Sequence, residues 1–299
     1  MSYYKLLGLA REPFSTSPDP AFFYQSPQYR DALANLIIEF RLKRGLSVVL
    51  GDIGLGKTTL GRKLVQLLRE REGFVFHMIL DPTYPSETLF FHELTRTLGI
   101  DLASASPSLV DYRDALERFL FRKGVEERRT IVLIIDEAHK LNALSLEVLR
   151  VLLNYETNQE KLLQLVLLGQ SELLPVLRHL PNVADRISLK CTLSPLTHEE
   201  TDELITFRLQ EAGYQGRVAL FAPDAVGRIH DYAQGYPRRI SMLCHQALRH
   251  VVMHKRRLVD LEVVDTLIQR EIEGGWSPQA SPARRAELVS GATGLERLS

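Results

Sequence analysis

The run LSVVLGDIGLGKTTL, residues 46–60, decides the fold. A short apolar stretch enters a glycine-rich turn, and the turn enters a segment with helical spacing. The residues satisfy the phosphate-loop pattern G-x-x-x-x-G-K-[ST] through Gly51, Gly56, Lys57 and Thr58. Phosphates need backbone N–H donors that converge on one point, and the amides of a turn feeding a helix N-terminus supply them. The expected cradle is Gly51, Asp52, Ile53, Gly54, Leu55, Gly56, Lys57, Thr58 and Thr59. Gly51, Gly54 and Gly56 are expected to permit its path by tolerating φ > 0 and close approach. Lys57 sets a charge against a nucleotide's outer phosphates, and the Thr58 hydroxyl suits a Mg²⁺ ligand. A strand before the turn and a helix after it separate such a loop from an ordinary turn, and both patterns are present.

Outward from this stretch, strand and helix patterns alternate. Residues 27–44 carry Leu33, Leu36, Ile37 and Phe40 at helical spacing. A strand is expected over 74–80, then helices over 86–98, with Ser86 as a cap, and 109–123. Residues 130–135, TIVLII, are continuously apolar, as a central parallel strand should be, and end in Asp136-Glu137-Ala138-His139. Carboxylates at the carboxyl end of a buried strand lie where α/β sheets bind ligands. Asp136 is therefore expected to hold the Mg²⁺ shell and Glu137 to polarise the attacking water. A helix over 145–155 leads to a buried strand over 163–168 that ends at Gly169-Gln170. Gln170 falls at the same edge, either to hydrogen-bond the γ-phosphate or water, or simply to turn the chain. After Asp185-Arg186 a last strand is expected over 187–193. The alternation predicts a mostly parallel sheet sandwiched by helices.

Beyond residue 194 the strand signal ends, and helices are expected over 197–213, 223–234, 237–254 and 260–273. The expected organisation is an aromatic and proline-rich segment with its helix packed on the core (1–44), an α/β nucleotide-binding domain (45–193), a small all-helical lid (194–273) and a flexible tail (274–299). In the first segment Tyr3, Tyr4, Phe14, Phe22, Phe23, Tyr24 and Tyr29 interleave with prolines. That pattern suits folding back over the core; whether one ring covers an adenine or all merely pack is left open.

Composition narrows the function classes. Lysine plus arginine number 37, as do aspartate plus glutamate, so net charge argues for neither nucleic acid nor membrane. Cys191 and Cys244 lack metal-ligand spacing and read as ordinary packing cysteines in a reducing compartment. With no signal-peptide core and no apolar run near the roughly 18 residues of a membrane span, a cytoplasmic protein without an integral membrane segment is expected.

Together these motifs resemble those of the AAA+ ATPases. The phosphate loop resembles Walker A, residues 131–137 Walker B, and Gln170 sensor 1. Arg186 resembles the arginine finger that reaches a neighbour's nucleotide, and Gly235-Tyr-Pro-Arg238 the G-x-P-R sensor 2, in which Pro237 and Arg238 contact nucleotide. More narrowly, the chain is similar to the ExeA/GspA family of secretion-associated ATPases. That likeness rests on Pro13-Phe14, Ser17-Pro-Asp-Pro20, the run NYETNQEKLLQ at 154–164, Gly169-Gln-Ser-Glu-Leu173, Asp185-Arg-Ile187 and Gly235-Tyr-Pro-Arg-Arg-Ile240. The resemblance implies Mg²⁺-dependent ATP hydrolysis by a homo-oligomer, ring or filament, acting on a protein client. Longer members of that family continue into a membrane span and a peptidoglycan-binding region that have no counterpart in these residues. Short ATPases of the lineage resemble the TnsC and TniB transposition regulators, which implies duplex DNA as an alternative partner; a slow nucleotide switch is a second alternative. The basic stretch His254-Lys-Arg-Arg257 fits a solvated helix end, where cations favour the C-terminus, as well as a DNA contact. The literal DEAH at 136–139 does not make a helicase, because such helicases pair two sheet domains.

Overall fold

The computed structural model describes residues 2–69, 73–102, 106–158, 160–216 and 218–275. After α1 (Tyr3–Leu6) and α2 (Pro27–Arg41), the chain alternates β1 (Leu46–Leu50), α3 (Lys57–Arg69), β2 (Phe74–Ile79), α4 (Glu87–Leu98), α5 (Leu109–Phe121) and β3 (Thr130–Ile135). It continues through α6 (Ala143–Leu152), β4 (Leu163–Gly169), α7 (Leu173–Arg178), α8 (Pro181–Ala184) and β5 (Ile187–Thr192). Helices α9 (His198–Glu211), α10 (Pro223–Ala233), α11 (Pro237–Met253) and α12 (Leu261–Glu273) follow. Two compact units result, one of Ser17–Ser194 and the other of Met1–Thr16 with Pro195–Ser299.

In the first unit the strands form one parallel sheet in the order β2-β3-β4-β1-β5. Its three inner strands read LSVVL, TIVLII and LQLVLLG, and they are buried almost throughout. Edge strand β5 instead alternates half-buried and exposed residues. Such continuous apolar runs are what a strand covered on both faces requires. On one face Leu46, Val48, Leu50, Ile131, Leu133, Ile135, Leu163, Leu165 and Leu167 join a core with α4, α5 and α6. The opposite face meets α3 at Gly61, where an added Cβ would lie 2.9 Å from Leu168 Cδ1, 3.5 Å from Met78 Cε and 3.6 Å from Ile134 Cγ2. The helix that follows the phosphate loop is thus pressed flat on the sheet. The sandwiched parallel sheet predicted by the sequence is the observed fold.

Several boundaries differ by a few residues, two of them for identifiable local reasons. Helix α5 ends at Phe121 and the chain passes into a π-turn, Arg122–Glu126, where Gly124 packs against Leu162. Helix α6 begins at Ala143 because the Asn142 side chain caps it by accepting from Ser145 N at 2.8 Å.

The second unit is helical. Helix α9 opens with a capping box between Thr197 and Glu200, and α10, α11 and α12 enclose a core that includes Ile229, Leu243, Cys244, Leu248, Val263 and Ile268. Residues 2–16 belong here: the Ala10 and Arg11 amides donate to Ala212 O at 2.8 and 3.2 Å, and buried Phe14 meets Phe221 edge-to-face. The stretch 1–44, read as one segment from sequence, is therefore divided, because Phe14 finds its partner in the helical unit while α2 packs beside α3 and β5. Cys191 and Cys244 are free thiols. No described helix is long and apolar enough to cross a membrane. Of the tail expected at 274–299, everything from residue 276 lies outside the described residues.

Gly61→Val tests the contact between α3 and the sheet. Overpacking should destabilise by about 1–3 kcal/mol, less the few tenths gained in helix propensity. The urea midpoint should fall with an unchanged slope; a midpoint equal to that of the parent would contradict the packing described.

Candidate functional site

The phosphate loop joins the end of β1 to the start of α3 at the carboxyl edge of the sheet. Its base is fixed on both sides: Gly51 N donates to Gly169 O at 3.1 Å, and Leu193 N donates to Leu50 O at 2.8 Å. Gly54 and Gly56 have φ of +88° and +87°, a conformation that favours glycine. Gly51 is not in that region. It is required for room, since a Cβ there would lie 3.2 Å from both Leu193 Cβ and Leu55 Cδ1. Of the two reasons expected for these glycines, positive φ applies at Gly54 and Gly56 and close approach at Gly51.

Lys57 is buried, and its Nζ donates to Gly51 O at 2.7 Å and Asp52 O at 3.0 Å. Burial lowers its pKa, opposed by the attraction of Glu137, Asp136, Asp52 and Glu172. The ammonium is thus folded into the loop, surrounded by oxygens. Beside it the Thr58 hydroxyl donates to Asp136 Oδ2 in a short hydrogen bond. Asp136 is itself buried, held by its amide donating to Ile79 O at 2.8 Å.

Glu137 departs from the strand with φ of +50°, a left-handed conformation that costs a non-glycine residue energy and recurs at functional sites. Its amide donates to Asp136 Oδ1 at 2.9 Å, and its half-exposed carboxylate lies 3.7 Å from His139 Nε2 and 4.0 Å from Lys140 Nζ. Lys140 in turn lies 3.5 Å from Asp81. Gln170, directly after β4, places its side-chain amide 2.9 Å from His139 Nε2. The structure therefore brings Lys57, Thr58, Asp136, Glu137 and Gln170 to one edge.

Arg186 is elsewhere. It precedes β5, whose first residue Ile187 is level with Leu46 at the start of β1. The five residues of β1 separate it from the loop by about 17 Å at ~3.3 Å per residue, farther than an arginine side chain extends. Pro237 and Arg238 form the first turn of α11 in the helical unit. There Gly235 has no room for a Cβ, which would fall 2.1 Å from Leu196 O, and Arg239 stacks on Tyr236 at 4.5 Å. In the basic stretch, Arg256 pairs with Asp260 at 3.0 Å and Glu262 at 2.6 Å, which neutralises part of its charge.

Two supports of the site carry no motif. The Tyr29 hydroxyl donates to Leu55 O in the middle of the phosphate loop, and Phe23 meets Tyr29 edge-to-face at 5.2 Å. Both rings are buried next to Gly56. Next to Tyr29, Gln28 binds both backbone groups of Ser194, at 2.8 and 2.9 Å. The aromatic density of the N-terminal segment was the available signal; which ring reaches the loop was not readable. His139 is the second, visible in sequence only as the residue after Glu137-Ala138.

These donors fit a magnesium nucleotide. The first amides of α3 have no acceptor within their own helix, which leaves them as donors at the end of the phosphate loop. Thr58 and Asp136 supply the hard oxygens that Mg²⁺ takes alongside phosphates and water.

Comparison with known proteins identifies the family. Residues 41–177 match the AAA domain family. The chain is 34% identical over 255 residues to general secretion pathway protein A of Aeromonas hydrophila, covering 82% of this chain and 44% of that protein. It thus spans less than half the length of this relative. Among solved structures, the ORC2 protein of Aeropyrum pernix in ADPNP-ADP complexes superposes with a TM-score of 0.64 at 17% identity, covering 87% of this chain and 71% of that one. Cdc6p of Pyrobaculum aerophilum gives 0.64 at 20% identity, over 83% and 67% of the two chains. RuvB of Thermotoga maritima, a Holliday junction branch migration motor, gives 0.53 at 17% identity, over 83% and 72%. Sheet order, phosphate loop and sequence match agree: the chain belongs to the AAA+ class of P-loop proteins and is a relative of general secretion pathway protein A.

Proposed function

We propose that the chain is a Mg²⁺-dependent ATPase that converts ATP to ADP and phosphate and couples nucleotide state to self-assembly and to remodelling of a protein client. The observation that carries this reading is the convergence of Lys57, Thr58, Asp136 and Glu137 at one sheet edge. Phosphoryl transfer to water demands charge neutralisation and positioning more than covalent chemistry. The loop amides from Asp52 to Thr59 bind the phosphates, and Lys57 exchanges its two carbonyl partners for phosphate oxygens. Thr58 and Asp136 hold Mg²⁺, which when bound neutralises charge on the β- and γ-phosphates. Glu137 orients the attacking water and accepts its proton at a carboxylate oxygen, with Gln170 donating to the γ-phosphate or the water. Arg238 reports nucleotide state to the helical unit.

Arg186 has a different part. Its place at the amino edge of the sheet puts it beyond reach of its own phosphate loop, so its role is to complete the site of a neighbouring copy. Hydrolysis then depends on assembly. By similarity to general secretion pathway protein A, the client belongs to a secretion or envelope-associated assembly, with the ATPase working on the cytoplasmic side.

Lys57→Ala should weaken ATP binding about 100-fold or more, roughly 2.8 kcal/mol, measured by titration calorimetry; unchanged affinity would remove the loop from the site. Arg186→Ala should bind ATP normally and lose about 10³-fold in turnover. Mixed with Glu137→Gln protein it should regain activity, because hybrid interfaces pair an intact base with an intact arginine. No recovery at any mixing ratio would rule out a role for Arg186 in trans.

A further inference from the structure

His139 lies between the two side chains that flank the attacking water in the proposed reaction. Its Nε2 is 2.9 Å from the nitrogen position of the Gln170 side-chain amide and 3.7 Å from Glu137 Oε2. The ring is held in place from behind. The short turn Ala138–Lys140 packs on the end of β4, where a Cβ on Gly169 would come within 3.4 Å of the His139 backbone nitrogen and 3.1 Å of Leu173 Cδ2. Only glycine at 169 leaves both neighbours undisturbed, and the imidazole is then mostly buried, with its Nδ1 lacking a hydrogen-bond partner among the described residues.

That asymmetry between the ring nitrogens selects a tautomer. A proton on Nδ1 would be a buried N–H without an acceptor among the described residues, whereas a proton on Nε2 points at the Gln170 amide, which carries an acceptor oxygen. For Nε2–H to donate, the Gln170 amide must present its oxygen to the histidine. The nitrogen occupies that position in the structure, but oxygen and nitrogen of an amide are exchanged by a half-turn and are assigned from the surrounding hydrogen bonds, which here favour the oxygen. With the oxygen on His139, the Gln170 NH₂ faces away from it and becomes the donor offered to phosphate. The reverse arrangement would offer a carbonyl oxygen to phosphate oxygens and repel them. At 3.7 Å Glu137 lies beyond hydrogen-bond length, so it feels the Nε2–H dipole only weakly. The main link is to Gln170.

We infer that His139, as the Nε2–H tautomer, is a positioning residue that fixes which end of the Gln170 amide faces the γ-phosphate. This role presupposes that Glu137 and Gln170 act in hydrolysis as proposed above. It gives the histidine after Glu137-Ala138 a function in orienting a neighbour, not in nucleic-acid unwinding.

The test combines kinetics with a tautomer measurement on the full chain. His139→Ala should lower the single-turnover rate of ATP hydrolysis about 10- to 100-fold, the size of effect expected when a reacting group is misplaced, while ATP affinity measured on the same samples changes by less than about 2-fold, since the residue acts on the reaction and not on binding. Gln170→Ala should be similarly slow, and the double variant no slower than the slower single one, because both remove the same contact. His139→Gln, which keeps a donor near Nε2, should restore rate, and His139→Asn should not. Losses that multiply, or equal rescue by Asn, would overturn the inference. Independently of turnover, ¹⁵N-histidine spectra should show His139 protonated at Nε2 and shifted by Gln170→Ala; protonation at Nδ1 would overturn the inference even in an active ATPase. Conversely, a chain that binds but never hydrolyses ATP, yet shows Nε2–H responsive to residue 170, would sink the hydrolysis reading and support the His139–Gln170 link.

Discussion

The hydrogen bond from the Thr58 hydroxyl to the Asp136 carboxylate is the contact around which this chain is built. It joins the first turn of α3 to the end of β3, although β4 lies between β3 and β1 in the sheet. For the two to meet, three inner strands must end at the same level and α3 must lie close over them. The register comes near the first: β1 and β4 end together, Leu50 paired with Gly169, and β3 ends two residues earlier, Ile135 paired with Leu167, so that Asp136 follows close to that level. Gly61 does the second by bringing α3 against Leu168 and Ile134. The continuous burial of β1, β3 and β4 is thus the precondition of the site as well as the bulk of the core.

A parallel sheet gives its two edges different work. At the carboxyl edge, loops carry Lys57, Asp136, Glu137 and Gln170 into one group, as α/β sheets generally do with ligand-binding residues. The amino edge carries Arg186, about the length of β1 away. Under the proposed function this separation is what makes assembly a condition of hydrolysis. A single copy holds the binding and proton-accepting groups, and a second supplies the remaining positive charge.

Much of this was readable in the chain before folding was considered. Strand β3 spans the residues its apolar run predicts, because a strand buried on both faces leaves no polar position to blur its ends. Helices α9 to α12 likewise follow from their spacing, with Pro223 and Pro237 marking two starts. What could not be read are pairings between distant residues. Tyr29 supports Leu55 across the turn between two elements, and Phe14 leaves the sheet unit for Phe221; nothing in local periodicity specifies either. The same holds for His139 and Gln170, whose side chains meet only because Gly169 lets a turn approach a strand end. Gly51, Gly54 and Gly56 look alike in the sequence, and only the fold divides them into one crowded position and two with positive φ.

The central claim is that this edge hydrolyses ATP and does not merely hold it, and Glu137 is the residue on which that distinction turns. Its backbone is left-handed and its half-exposed carboxylate lies 3.7 Å from His139 Nε2, the geometry on which the proposed role draws. The direct measurement is conversion of stoichiometrically bound ATP to ADP in the parent and in Glu137→Gln at saturating Mg²⁺. The account predicts equal ATP binding, with conversion in the variant slower by about 10²-fold or more, as expected on losing a general base. Equal rates of conversion in the two proteins would contradict it.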